Sequence, residues 1–542
     1  MGKQTKPTKL ISTYVKGGRQ KTRAMEDQLK FDAAKIFIAV AILGFVGLFV
    51  RLYNALVVKP DRLRSALRKQ GITGPPPTLL LGNIWEIKKA LSTTVTAPVG
   101  EIPVSHNCAA LIFPFFEQWR KQYGDLFVIS LGITPKIFIN EPGILRELTT
   151  CTSLDFGKPA EQQEELGPLL GQGIITSNGA IWARQSKILA PEFYMEKVKG
   201  MINLIIESTT PLLNSWRSRI ETEGGTADIH IDDYMRSFSG DVIARACFGS
   251  NYVQGEKIFL KLRALMGVMS MMGLSIGIPG LRYLPTRSNR EGWRLQKEVR
   301  NLILEVVKER QKASDHEKDF LHMVLEGAKN SGLSQEATES FIVDNCKNIY
   351  MAGYESTAAS ATWCLMLLAS NQEWQARVRA EVLDICQGST LDADMLRKMK
   401  QLTMVIHESL RLYPPAPVVP REALNDMKLG NINIPKGVNV WTVPMISHTD
   451  PEIWGSDALK FNPARFANGI KGACSHPHLY MPFGFGPRVC AGQHLAMMEL
   501  KIVIAVLLSN FSFSPSPTYS HAPAIRIIIE PKNGVHLLVK KL

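Results

Sequence analysis

A single cysteine in a glycine-rich loop is the residue of this chain best suited to binding a metal. Cys490 lies two residues after Arg488 and between Gly486 and Gly492. The apolar residues that follow have helical spacing, so we expect the cysteine at the entrance of a helix. The dipole of that helix and the charge of Arg488 would both favour the thiolate. A thiolate presented alone suits one axial position of haem iron.

The other residues of the loop suit the same chemistry. Gly486 and Gly492 would let the backbone turn tightly and approach a flat macrocycle. Neighbouring backbone N–H groups would bond the sulfur and tune it. Arg488 is placed to meet a haem propionate, and Phe483 to pack against the loop. The competing interpretation is a buried structural cysteine, which describes most lone cysteines.

The full pattern Phe-x-x-Gly-x-Arg-x-Cys-x-Gly favours the first interpretation. It resembles the haem-binding loop of the cytochrome P-450 superfamily, the haem-thiolate monooxygenases, at all five positions: Phe483, Gly486, Arg488, Cys490 and Gly492. The resemblance implies haem b as cofactor, with the Cys490 thiolate as its axial ligand. It can be compared with the rest of the chain, where the other motifs of that superfamily have a fixed order.

The longest apolar helix predicted beyond the N-terminal region covers residues 341–370. Its only charged residue after Ile349 is Glu355, so a second membrane span is the alternative to a buried core helix. The stretch from Ala352 to Thr357 resembles the oxygen-activation motif of the superfamily, with Ser356 in place of the usual threonine. An acid beside a hydroxyl can relay protons into a dry pocket. Glu355, Ser356 and Thr357 are therefore the predicted catalytic residues, and small Ala352 and Gly353 would leave room over the haem.

Two further motifs of the superfamily concern the haem propionates. Trp182 opens a predicted helix and resembles the start of Trp-x-x-x-Arg, but Ser186 stands where the arginine is expected. Arg184 and Lys187 are nearby charges to which that role cannot be transferred. Arg421 follows a proline-rich stretch and is, by resemblance, a second propionate ligand.

A charge network is also implied. Glu408 and Arg411 share a helix face at spacing i, i+3, which by itself suggests a surface ion pair of little energetic value. The Glu-x-x-Arg pattern, with Arg465 downstream in Phe-Asn-Pro-Ala-Arg-Phe, resembles the buried three-residue network of the superfamily. Its expected role is to fix the core on the haem side rather than to catalyse.

The N-terminal segment predicts a membrane anchor. Residues 36–50 are uncharged, and with Arg51 near one interface residues 36–58 are long enough to span a bilayer. No small-residue cleavage site follows, which disfavours a signal peptide. Residues 1–70 hold 15 Lys/Arg against 4 Asp/Glu, in a chain of net charge +14. The basicity therefore belongs to this segment, and a nucleic-acid-binding surface loses its support.

The orientation of the anchor depends on which residues precede it. Basic clusters of similar size flank both sides of the anchor, so the positive-inside rule gives little preference for either orientation of the chain as written. If Met25 is the working start, the cluster after residue 58 dominates, and the catalytic domain faces the cytosol. Residues 1–24 are then dispensable, although a transit peptide is an alternative interpretation.

Composition and cysteine usage agree with a large intracellular enzyme. The chain is 45% hydrophobic and 21% charged, which is an ordinary globular composition. Its eight cysteines form no C-x-x-C pair, which favours reduced thiols over disulfides or a zinc site. Beyond residue 75 no linker or repeat occurs, so one large domain is expected.

These motifs together predict a mostly α-helical cytochrome P-450 fold with a small β region near residues 78–82, 125–140 and 415–445. The predicted organisation is a basic extension (1–35), an anchor (36–58), a basic and proline-rich hinge (59–77) and a haem-thiolate domain (78–542). No glycine-rich nucleotide fingerprint follows a strand. The resemblance therefore implies electrons from a separate NADPH-dependent flavoprotein, and an enzyme of the endoplasmic reticulum membrane.

Several details resemble the plant branch that acts on terpenoids and isoprenoid hormones, namely residues 70–77, 346–350, 355–358 and 363–369. The implied substrate is a rigid polycyclic terpenoid, either a pentacyclic triterpenoid acid or a gibberellin-type diterpenoid. One rival is a haem-thiolate isomerase or lyase that rearranges hydroperoxides without a reductase; such enzymes lack the acid–hydroxyl pair. A haem sensor or membrane scaffold has no positive feature in the sequence.

Overall fold

The computed structural model describes residues 8–92, 105–249, 252–270, 283–312, 319–330 and 332–542. It forms two compact units, Met1–Arg62 and Leu63–Leu542. Helix α1 (Thr8–Tyr53) continues through a π-helical stretch (Asn54–Val58) into α2 (Lys59–Arg68). The predicted anchor, residues 36–58, is thus helical throughout, and its large apolar side chains up to Tyr53 are exposed. The first seven residues of the predicted extension lie outside the described residues.

Helices dominate the second unit because long apolar stretches with helical spacing recur along it. In chain order the described helices are α3 (Ile84–Ser92), α4 (Cys108–Ile112), α5 (Pro114–Tyr123), α6 (Pro142–Thr150), α7 (Ala160–Glu165), α8 (Gly167–Leu170), α9 (Gly179–Leu189), α10 (Met195–Lys199), α11 (Ile202–Thr222), α12 (Ile231–Phe248), α13 (Tyr252–Ser270), α14 (Arg287–Lys312), α15 (Phe320–Lys329), α16 (Gln335–Ser370), α17 (Gln372–Cys386), α18 (Ala393–Lys398), α19 (Lys400–Leu412), α20 (Pro444–His448), α21 (Pro451–Trp454) and α22 (Gln493–Asn510).

Four small sheets complete the described part of this unit. Their strands are β1 (Leu126–Leu131), β2 (Thr134–Ile139), β3 (Phe156–Gly157), β4 (Thr226–His230), β5 (Val419–Ala423), β6 (Met427–Leu429), β7 (Ile432–Ile434), β8 (Asn439–Thr442), β9 (Phe511–Pro515), β10 (Pro523–Ile525), β11 (Ile529–Pro531) and β12 (His536–Lys541). The largest sheet has the order β1-β2-β8-β5-β3, and a second has the order β4-β12-β9. Hairpins β6–β7 and β10–β11 form the other two.

Helix α16 is the centre of the core. Ser334 caps its N-terminus by accepting from the N–H of Ala337. Most residues from Phe341 to Ala369 are buried, and the helix packs against α12, α22 and β9. Trp363 is 1% exposed, and its ring nitrogen donates to the carbonyl of Ile529 (3.2 Å). The predicted buried core helix is therefore present, and the alternative of a second membrane span is wrong for this segment.

Two described helical segments are long and apolar enough to cross a membrane. One is Gln28–Arg68, whose most apolar window has no buried part. The other is α22, whose most apolar window is 56% buried. Because α22 contributes Leu500, Ile502 and Val503 to the core, burial inside the protein accounts for its hydropathy. The N-terminal segment is the remaining candidate for an anchor.

The predicted β region is present at residues 125–140 and 415–445, but not as a strand at 78–82. There, Thr78 and Gly82 form only isolated bridges. Part of the predicted hinge, 59–77, contacts the globular unit. Leu67 and Ile72 are buried in a core cluster with Val128, and the N–H of Val128 donates to the carbonyl of Thr73 (2.9 Å). The proline-rich stretch is therefore docked on the globular unit and is no free hinge.

Candidate active site

The glycine-rich loop closes on itself around Cys490. The backbone N–H of Cys490 donates to the carbonyl of Phe483 (2.8 Å), which ties the two ends of the loop together. Phe483 is partly buried and packs against the main core. Helix α22 begins at Gln493, three residues after the cysteine, with Gly492 as its N-cap. The loop thus holds one thiol at a fixed place beside a helix N-terminus.

The two glycines of the pattern differ in backbone conformation and in the space around them. Gly486 has φ of +64°, and a Cβ there would meet the carbonyl oxygen of Cys151 at 3.0 Å, so neither its backbone nor its space admits a side chain. Gly492 has φ of −86°, and a Cβ there would meet no atom within 4 Å. The expected tight turn therefore applies to Gly486 alone, while Gly492 keeps its surroundings open.

The electrostatics of Cys490 differ from the prediction. Part of its surface is open, yet burial raises the pKa of its thiol, and a hydrogen bond with the backbone of Gly492 lowers it. Arg488 donates instead to the carbonyl of Ser177 (2.7 Å) and to Oδ1 of Asn178 (2.9 Å). The backbone around the sulfur, rather than the arginine, is thus the local group that favours the thiolate.

Trp182 and Arg488, predicted separately, meet in the structure. The Arg488 guanidinium lies 4.4 Å from the centre of the Trp182 ring, which is a cation–π contact. Trp182 is on α9, and Ser186 lies one turn further along the same helix, partly buried. Arg184 and Lys187 are both exposed, so neither of these neighbouring charges lies inside the site.

Arg421 completes the predicted propionate side. It is 3% exposed on β5, with its guanidinium 4.8 Å from the ring of Phe485, and burial lowers its pKa to about 10. Arg488 Nη1 is buried and has no hydrogen-bond partner among the described residues. Lys158, which sequence reasoning missed, lies near both arginines: burial and then their charges lower its pKa well below its usual range. An accessible thiol beside buried cations fits haem, because a thiolate can bind the iron and the cations can pair with the propionates.

The predicted catalytic residues lie on α16. Ser356 Oγ donates to the carbonyl of Ala352 (2.5 Å), and both residues keep accessible surface in a stretch of the helix, 351–356, in which Glu355 alone is buried. Thr357 is 3% exposed and belongs to the core. Gly353 does not leave room over the haem as expected, because a Cβ there would meet Ile243 of α12 at 2.6 Å. Its missing side chain lets two helices pack closely, so Ala352 alone keeps the expected space.

Glu355 is held by an ion-pair network that the sequence did not indicate. Arg236 of α12 donates to Glu355 (3.2 Å) and to Glu530 of β11 (2.7 Å), with Asp232 4.0 Å away. Burial raises the pKa of Glu355, and the charge and hydrogen bond of Arg236 lower it. A buried acid of raised pKa is suited to holding and passing on a proton.

The predicted charge network is assembled and buried. Arg411 donates to both carboxylate oxygens of Glu408 (2.7 and 2.8 Å), and Arg465 lies 3.4 Å from the same carboxylate. Glu408 and Arg411 are fully buried. Arg411 also donates to the carbonyls of His448 and Ala458 (both 2.6 Å). These bonds tie α19 to the segments before the glycine-rich loop, so the pair is no surface ion pair.

Comparison with known proteins agrees with this arrangement. A sequence model of the family described as "Cytochrome P450", here written cytochrome P-450, matches residues 98–537. Cytochrome P-450 714C2 of Oryza sativa subsp. japonica is 51% identical over 91% of this chain and 96% of its own length. Cytochrome P-450 714B3 of Zea mays is 43% identical (94% and 97%), and cytochrome P-450 714A2 of Arabidopsis thaliana is 41% identical (92% and 97%). The chain belongs to the cytochrome P-450 family and is a monooxygenase whose cofactor is haem with a cysteine thiolate ligand.

Proposed function

We propose that this monooxygenase oxidises a rigid polycyclic terpenoid, either a pentacyclic triterpenoid acid or a diterpenoid of the gibberellin and ent-kaurenoid type. The resemblance of residues 346–350 and 363–369 to the plant branch that acts on such compounds supports it. Both stretches lie on α16, the helix that also carries the acid–hydroxyl pair. Relatives from three plants, aligned over more than nine-tenths of the chain, agree with the plant origin of that branch.

The loop geometry supports the proposed haem placement. Cys490 would bind the iron through its thiolate, and Trp182, Arg421 and Arg488 would hold the propionates. Phe483, Gly486 and Gly492 shape the loop that holds the sulfur. When bound through a thiolate, haem supplies the reductive activation of molecular oxygen. The protein then has to orient the substrate, exclude bulk water and deliver protons to one side of the site.

The observation that carries an oxygen-dependent reaction is the pair formed by Glu355 and Ser356. Glu355 is buried against Arg236 and holds its proton more readily than an exposed acid, because burial raises its pKa. The Ser356 hydroxyl is a neighbouring polar group on a residue that keeps accessible surface on α16. A water molecule joining the two would carry a proton from the interior to the reacting side. Thr357, being buried, has at most a supporting part in this relay.

Electrons are proposed to come from an NADPH-dependent flavoprotein reductase that docks on the side of Cys490. The rival function is the isomerisation or cleavage of hydroperoxides, which needs neither oxygen nor reductase. The acid–hydroxyl pair favours the monooxygenase, since an isomerase has no protons to deliver for oxygen cleavage. The monooxygenase therefore consumes NADPH and oxygen, whereas the isomerase consumes only the hydroperoxide.

Incubating the membrane-anchored protein with a plant reductase, NADPH and a terpenoid panel is expected to give products 16 mass units heavier than one substrate class. The panel holds pentacyclic triterpenoid acids and ent-kaurenoid diterpenoids, with linear fatty acids as control substrates. Omitting NADPH or oxygen should abolish each product. Turnover of a hydroperoxide without NADPH would support the rival function, and oxidation of the fatty acids alone would contradict the terpenoid proposal.

The proposed location is the endoplasmic reticulum membrane, with a single pass through residues 36–58 and the catalytic unit in the cytosol. The exposed apolar helix of the N-terminal unit supports the span. The side on which the catalytic unit lies follows from the basic residues after residue 58, provided that Met25 is the working start. Free cysteines throughout the described chain suit a reducing compartment.

Deleting residues 1–24 is expected to leave both membrane association and haem content unchanged, because those residues precede the apolar span. Deleting 1–58 is expected to release most of the protein from sedimented membranes, since the span itself is lost. Residual surface binding would come from apolar and basic residues that follow. Haem content, read from the reduced carbon monoxide spectrum, serves as the folding control. Haem loss on the short deletion would show that residues 1–24 contribute to the fold.

A further inference from the structure

We infer that Lys158 supplies the propionate-binding charge that the arginine missing at position 186 would have provided. This inference rests on the haem placement proposed above. It concerns a residue of the loop between β3 and α7, which carries none of the sequence motifs. Three independent features of the structure support it: the register of β3 on β5, the hydrogen bonds of Asn178, and the lack of a carboxylate beside Lys158.

The register of the β3–β5 pair brings Lys158 towards Arg421. The two strands are antiparallel, with Phe156 opposite Ala423 and Gly157 opposite Glu422. Continuing this register by one residue places Lys158 opposite Arg421. Like charges directly opposite one another destabilise a strand pair unless an anion lies between them. The placement of two cations here therefore indicates an anionic partner.

Asn178 joins Lys158 to Arg488. Its side chain accepts from the backbone N–H of Lys158 (2.7 Å) and donates to the carbonyl of the same residue (2.8 Å). The same Oδ1 accepts from the guanidinium of Arg488 (2.9 Å). Gly157 leaves the space for this amide, because a Cβ there would meet Asn178 Oδ1 at 2.6 Å. Asn178, the residue before α9, thus holds the backbone of Lys158 and also binds Arg488.

No carboxylate within the described residues lies within ion-pair distance of Lys158, Arg421 or Arg488. Glu422, which follows Arg421, accepts instead from the backbone N–H of Ala160 (2.6 Å). The pKa of Lys158 is lowered well below its usual range by burial and by the charges of the two arginines. Lys136, another buried lysine, is by contrast paired with Glu161. Two arginines and a lysine whose charged form is disfavoured by burial thus lack a carboxylate partner, and the two carboxylates of haem would supply the anions that keep Lys158 protonated.

The test measures how fast haem leaves the full-length holoprotein for an excess of apomyoglobin. Lys158→Met is expected to lose iron protoporphyrin IX about tenfold faster than the wild type, which corresponds to about 1.4 kcal/mol. Lys158→Arg should stay within about twofold of the wild type, because it keeps the charge. Lys187→Met is the matched control, since that lysine is exposed on α9. If Lys158→Met accumulates poorly, Lys158→Gln takes its place in the same comparison.

Loading with the dimethyl ester of iron protoporphyrin IX separates charge pairing from a merely structural role. The ester lacks the propionate charges, so Lys158→Met and wild type should then lose it at rates within about twofold. Ser186→Arg should barely change the wild type but slow haem loss from Lys158→Met. Equal rates for Lys158→Met and Lys187→Met with haem, or an equally large effect of Lys158→Met with the ester, would overturn the inference. Cys490→Ser tests the haem placement itself by its spectrum, so the two failures are distinguishable.

Discussion

Replacing Cys490 by serine is expected to abolish the red-shifted Soret band that a reduced haem-thiolate protein gives with carbon monoxide. A serine hydroxyl remains protonated where a thiol becomes a thiolate, so it cannot replace the sulfur as a strong axial donor. The substitution changes one atom in a loop held by the bond from Cys490 N–H to Phe483. The loop is therefore expected to stay in place while NADPH-dependent product formation falls below detection.

The control for this substitution is Cys386→Ser, another partly accessible free cysteine, at the end of α17. It should keep the band and the product at wild-type levels. A band that survived in Cys490→Ser would contradict the assignment of the ligand, and with it the placement of the propionates near Arg421 and Arg488. Loss of the band in both variants would point to general damage rather than to ligation.

The sequence predicted those parts of the site that lie within one local pattern. The glycine-rich loop and the start of α22 are contiguous, so spacing alone placed Cys490 beside a helix N-terminus. Residues 341–370 were predicted as a core helix because the stretch from Ile349 to Ala369 is apolar apart from Glu355. The pair Glu408 and Arg411 was placed on one helix face for the same local reason.

What sequence reasoning missed depends on contacts between distant segments. Arg236 meets Glu355 only because α12 packs across α16, and nothing near residue 236 indicates that partner. The register of β3 on β5 brings Lys158 near Arg421, although these strands are more than 250 residues apart. The β4–β12 pairing joins residues 226–230 to the C-terminal strand in the same way. No local pattern encodes such pairings, which depend on how the whole chain folds back on itself.

Two expectations about glycine and proline differ from the contacts in the structure for a common reason. Gly353 was read as space beside a cofactor, but it allows α12 to approach, as the close position of Ile243 indicates. Residues 71–77 were interpreted as a stiff hinge, but the stretch docks on β1 through Thr73 and Val128. Glycine and proline report what the backbone can do. They do not indicate which segment of the fold packs against that backbone.

Removing the Ser356 hydroxyl is expected to uncouple NADPH consumption from product formation. Ser356→Ala leaves the helix intact, because alanine has the highest helix propensity and the hydroxyl only donates to the carbonyl of Ala352. Substrate binding and reduction should therefore survive. Oxygen would then be reduced to hydrogen peroxide more often than it enters the substrate, since the proton relay from Glu355 loses its last polar group. General acid steps contribute about 10²–10⁴-fold, so the loss of product should be large.

The measurement is the ratio of product to NADPH consumed, with hydrogen peroxide as the complementary readout. Ser360→Ala is the matched control, because its hydroxyl likewise donates to a carbonyl one turn back (2.9 Å) but is 5% exposed in the core. It should keep the wild-type ratio. Adding Thr357→Ala should change little further, because Thr357 is buried. Full coupling in the Ser356→Ala, Thr357→Ala double variant would show that protons reach the site by another path, and would favour the isomerase again.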